Sequence, residues 1–141
     1  MTKLLLPVDG SPCSRRAAEF AVRMAGDRAS AKVLLLNVQS PVMAWEVSNY
    51  VTAEMVNQIH EKSGREAIKG AREVLDAAGV PCEEHLLVGE PAEIIAQVAA
   101  QEGVEGIVMG TRGMGLVKSL MLGSVATKVI HLVEVPVTLV K

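Results

Sequence analysis

Five short apolar runs alternate with four stretches of helical periodicity, and this alternation constrains the fold more than any other feature of the chain. Leu4–Val8, Lys32–Val38, Cys82–Val88, Glu105–Met109 and Pro136–Val140 have the length of strands. Ser11 followed by Pro12 is an N-cap and first-turn pair for a helix reaching about Ala25. Val51, Met55 and Ile59, then Ala67, Ala71, Val74, Leu75 and Ala78, recur at helical spacing until Gly79 and Pro81 stop the series. Pro91 opens a third helix with Ile94, Ile95, Val98 and Ala99 on its apolar face, closed by Gly103, and Val125–Val133 reads as the fourth. Strands and helices in strict alternation imply right-handed crossovers and a parallel sheet covered on both faces. The third run carries Glu83, Glu84 and His85 in its first half, which suits a charged, exposed edge strand.

At 141 residues the chain has the size of one domain, spanning 1–141, able to bury about two thirds of the surface its unfolded form exposes. Half the residues are apolar, yet only Phe20, Trp45 and Tyr50 are aromatic, so the core must be aliphatic. A net charge of -2 and so few stacking rings argue against a nucleic-acid partner. Cys13 and Cys82 form neither a CxxC pair nor a disulfide framework, and the apolar start ends at Asp9, too soon for a signal peptide. A cytoplasmic protein is expected, with no apolar run long enough for membrane insertion.

In open parallel sheets ligands sit at the carboxyl ends of the strands where strand order reverses. The residues expected there are Pro7, Val8 and Asp9, then Asn37, Val38 and Gln39, then Met109 and Gly110. Asp9 is placed to accept a ribose hydroxyl or hold a phosphate-bound cation. From Gly110 the chain reads Gly110-Thr111-Arg112-Gly113-Met114-Gly115, and nine residues separate Gly113 from Gly123-Ser124. Between a strand and a helix this spacing makes a phosphate cradle: glycines admit close approach, and unpaired N–H groups at the helix start favour an anion. Ser124 adds a hydroxyl donor or an N-cap, and Gly123 is expected at positive φ. The bland alternative is that the glycines only shape turns. A dinucleotide-binding fingerprint and a Walker A loop are both absent here, because neither G-x-G-x-x-G after the first strand nor a Gly-Lys-Ser/Thr is present.

Leu5–Ser11, Leu34–Val38, Gly89–Glu93, Ile107–Gly113, Leu122–Ala126 and Pro136–Val140 together resemble the universal stress protein family over essentially the whole length. G-x2-G-x9-G-[ST] resembles the signature of its ATP-binding branch. The resemblance implies a Rossmann-like α/β domain of the adenine nucleotide alpha hydrolase-like kind, with strand order 3-2-1-4-5, binding ATP or AMP with Mg2+ and working as a homodimer. Adenine would lie against Val38, whose main chain would read the base edge, with Pro7 and Met109 as apolar walls and Asp9 toward the ribose or adenine side. Gly110, Gly113, Gly123, Ser124 and the Val125 amide would hold the phosphates, with Arg112 and Gly115 as weaker carry-overs. The family habit also implies a nucleotide-responsive regulator of a protein partner such as a transporter or signalling protein.

The apolar residues Leu116, Val117, Leu120, Met121 and Leu122 suggest a lid, a docking surface or a segment tucked against the domain, and Gln39–Trp45 a flap. Pro136–Val140 as an apolar sheet edge invites pairing with a second copy. His60, His85 and His131 are scattered, so no catalytic set emerges and no metal site is expected; Cys13, near a helix start, is placed for a lowered pKa. The alternative is a slow ATPase or phosphotransferase using the same site. A response-regulator receiver is excluded, since Gly89-Glu90 stands where its acceptor Asp belongs.

Overall fold

The computed structural model describes residues 2–26, 30–41, 52–112 and 122–141. Within them β1 (Lys3–Pro7), α1 (Pro12–Ala25), β2 (Lys32–Gln39), α2 (Ala53–Ala77), β3 (Cys82–Val88), α3 (Pro91–Glu102), β4 (Gly106–Gly110), α4 (Ser124–Leu132) and β5 (Val137–Val140) follow in that order. The five strands form one sheet of order β3-β2-β1-β4-β5. All pairings are parallel, with Leu5 opposite Leu34 on one side and Ile107 on the other. The expected α/β architecture, strand order and charged edge strand β3 are therefore present.

Period-two alternation divides the inner strands between two apolar layers. Leu5, Leu34, Leu36, Ile107 and Met109 point to one face, where Ile95, Val98 and Ala99 of α3 and Ala126 and Val129 of α4 cover them. Leu6, Val33, Leu35 and Val108 point to the other, under Ala17, Ala18 and Ala21 of α1 and Ile68, Ala71 and Leu75 of α2. Alanines on α1 let that helix lie close to the sheet. Each fully buried Leu contributes on the order of 1.5–3 kcal/mol through removal from water.

Local chemistry fixes where the helices start. The Ser11 hydroxyl accepts from the Ser14 N–H and Pro12 fills the first turn of α1; Thr52 caps α2 by accepting from the Met55 N–H. Glu90 does the same for α3, accepting from the Glu93 N–H at 2.8 Å. α4 differs: Gly123 is its N-cap and offers no side-chain bond, so Ser124 is the first helical residue and not the cap. Gly123 has φ -69 and ψ 162, which corrects the expectation of positive φ there. Positive φ occurs instead at Gly10, at +83, where the chain leaves β1 and turns into α1. Among the described residues no helix is long and apolar enough to cross a membrane.

Candidate functional site

The connections after β1 and β4 leave the sheet on opposite faces, α1 with the α2 layer and α4 with the α3 layer. A crevice must open where they part, above the carboxyl ends of β1 and β4. The structure has a cleft of about 380 Å³ at that place. Pro7, Val8, Asp9, Val38, Met109, Gly110, Arg112, Gly123, Ser124 and Val125 all line it. Gly113 and Gly115, the other two expected site residues, lie outside the described residues, as do Leu116, Val117, Leu120 and Met121 of the apolar segment and most of the flap after Pro41.

The lining combines two chemistries. Pro7, Leu36, Val38, Ile95 and Met109 supply apolar surface, and Asp9, Ser14, Thr111, Arg112 and Ser124 supply polar groups. Ser14, Thr111, Pro91 and Ile95 line the cleft as well, beyond the residues expected at the site. Thr111 had a legible signal, its place between Gly110 and Arg112. Ser14 had a fainter one, three residues after a serine N-cap.

Asp9 is held by its own loop. One carboxylate oxygen, Oδ1, accepts from the Ser11 N–H at 2.9 Å and the Ser14 hydroxyl at 2.8 Å, while the Asp9 N–H donates to that hydroxyl at 3.0 Å. Ser14 is buried and thus fixes an otherwise exposed carboxylate. Among the described residues Oδ2 has no partner.

The end of β4 and the start of α4 are tied together. The Thr111 N–H donates to the Val140 carbonyl at 2.9 Å, and the Thr111 carbonyl accepts from the Gly123 N–H at 2.6 Å. The Gly123 amide is therefore engaged within the protein, and the cradle of free N–H groups expected around it is narrower. It consists, among the described residues, of the first-turn amides of Ser124, Val125 and Ala126, which precede the first α4 bond, from the Thr127 N–H to the Gly123 carbonyl. With the positive end of the helix dipole these amides suit an anion.

Gly110 answers to packing as well. A Cβ there would lie 2.7 Å from the Cys13 Cβ, so the start of α1 can approach β4 only if residue 110 has no side chain. Burial pushes the Cys13 thiol up. The Arg112 N–H, the Thr111 hydroxyl and the Arg16 guanidinium outweigh that effect and leave the thiol below its ordinary range. The lowered pKa expected at Cys13 is thus present. Cys82, with burial as the larger influence, is pushed the other way.

A five-stranded parallel sheet of this order, with the glycine-flanked cleft at its switch point, narrows the kinship, and the whole chain, residues 1–141, matches the universal stress protein family. The chain belongs to that family. A universal stress protein of Thermus aquaticus is 37% identical over 139 residues, covering 98% of this chain and 97% of its own. MJ0577, a universal stress protein of Methanocaldococcus jannaschii, has a solved structure that superposes with a TM-score of 0.79 at 29% identity, over 99% of this chain and 95% of that one. An Arabidopsis thaliana universal stress protein family member, solved with AMP bound, shares the fold at a TM-score of 0.71 and 23% identity, over 100% of this chain and 92% of that one.

Proposed function

We propose that this universal stress protein is an ATP-binding, nucleotide-responsive regulator, a single domain over residues 1–141 acting in the cytoplasm as a homodimer. One observation carries the reading: a single cleft is lined both by apolar Val38 and Met109 and by the first turn of α4, whose amides have no partner among the described residues. A purine needs the former and a phosphate chain the latter. Asp9 lines the same cleft with its orientation set by Ser11 and Ser14, and in this reading it would meet the ribose or a Mg2+ ion on the phosphates. AMP is held by the Arabidopsis relative, a likeness that speaks for the fold. For this chain the support is the cleft itself.

Binding without efficient turnover is the proposed activity, the nucleotide changing the surface offered to a protein partner. The test is to extract nucleotide from natively purified protein, identify it by mass spectrometry and titrate it back by calorimetry. ATP or AMP should be recovered, and Ser124→Ala should weaken binding about tenfold or more, as expected for a neutral donor lost from a charged oxygen. Absence of any adenine nucleotide, together with no heat on titration, would overturn the reading. Turnover well above background that Asp9→Ala abolishes would favour a slow ATPase or phosphotransferase instead.

A further inference from the structure

In a parallel ladder the N–H and C=O of one residue point to the same side, and successive residues alternate. The Val8 N–H donates to the Leu36 carbonyl at 2.8 Å, so the peptide groups of Leu36, and two residues on those of Val38, face the β1 side of β2. The regular continuation would be a bond from the Val38 N–H to the Val8 carbonyl. No such bond is present. The Val8 carbonyl accepts instead from the Asn37 side-chain amide, at 2.8 Å.

Asn37 is 2% exposed and its orientation is fixed from both ends. Its Oδ1 accepts from the Gln39 side-chain amide at 2.6 Å, which leaves Nδ2 as the donor toward Val8. Gly64 of α2 packs behind it: a Cβ there would lie 3.3 Å from Asn37 Oδ1. Asn37 does not line the cleft, whereas Val38 and Val8 do.

We propose that Asn37 is a positioning residue for the base reading that the resemblance implies at Val38: by occupying the Val8 carbonyl it uncouples Val38 from β1, so that among the described residues nothing on the β1 side competes with a purine edge for the Val38 N–H and C=O. Adenine sets an acceptor beside its N6 donor and matches such a peptide edge. Guanine places the O6 acceptor where adenine has N6–H, and the match fails. This rests on the nucleotide reading of the cleft, but its structural half is independent of any ligand.

The test has two readouts. In the ligand-free wild type, amide hydrogen exchange followed by NMR should find the Val38 N–H unprotected and the Leu36 N–H protected. In Asn37→Ala the ladder can close, so Val38 should gain protection; the ATP-over-GTP affinity ratio should fall about tenfold, and affinity for inorganic tripolyphosphate should stay unchanged. Asn37→Asp, close to isosteric but lacking the donor, gives the same comparison if the alanine variant fails to fold. A protected Val38 amide in the wild type overturns the inference. So does an unaltered ATP-to-GTP ratio in a folded variant. Wild type that binds no nucleotide while showing a free Val38 amide sinks the function proposed above and the base-reading role with it, and leaves the role of Asn37 in unpairing Val38 standing.

Discussion

Gly110 and Cys13 touch so closely that a methyl group on the Gly110 Cα would lie 2.7 Å from the Cys13 Cβ and 3.2 Å from its carbonyl carbon. The start of α1, which carries Ser11 and Ser14, is thereby seated against the end of β4. Gly110→Ala must push α1 away and is expected to cost about 1–3 kcal/mol. Urea denaturation measures it. Unaltered stability would mean that the two elements are not in contact.

Ser14 governs Asp9. Its hydroxyl bridges the Asp9 carboxylate and N–H, so Ser14→Ala removes both bonds and should lower stability by about 1 kcal/mol. ATP affinity should fall several-fold as the carboxylate is left to the Ser11 N–H alone. Calorimetry and chemical denaturation on one preparation separate the two effects; unchanged affinity would show that Asp9 does not meet the ligand.

The acid limb of stability should depend on Glu90. The Glu93 N–H first, then Lys128 and the Ala92 N–H, hold this carboxyl below the usual glutamate range. A group depressed in the folded state contributes stability above its unfolded pKa and loses it as pH falls through the folded value. Melting temperatures of the wild type should therefore drop through the acid range with a slope that Glu90→Gln flattens. Equal slopes would remove Glu90 from the account. Because Glu90 caps α3 next to Pro91, a lining residue, the same variant should disturb the wall of the cleft at neutral pH only slightly.

The proposed dimer makes its own demand on β5. Pro136 and Val140 turn their carbonyls to β4, bonding the Ile107 and Thr111 N–H groups, so the peptide groups of Val137 and Leu139 face the free edge. Val137→Pro deletes an outward donor while sparing the ladder to β4. Sedimentation at micromolar concentration should show a dimer for the wild type and a monomer for this variant. A monomeric wild type would end the proposal.

Much of this molecule is written in the order of its residues. Doublets such as Leu5-Leu6 and Leu34-Leu35 are apolar on both faces, which only a strand buried between two layers needs, and Ser11-Pro12 and Glu90-Pro91 mark helix starts through bonds made within four residues. The charged beginning of β3 likewise marked an edge. Strand order followed from the resemblance, and the cleft from the order.

Tertiary structure alone decided which peptide groups are spoken for. Gly123 reads as a free amide at positive φ until Thr111 is found beside it, and then it is an extended cap donating to a carbonyl twelve residues back. Asn37 reads as a ligand-facing residue at a strand end until its amide is seen on Val8, 29 positions away, and its side chain outside the cleft. Local sequence sets propensity because caps and periodicity act within a turn or two. Hydrogen-bond partners across a sheet end depend on where distant segments come to rest, and no short stretch of chain carries that information.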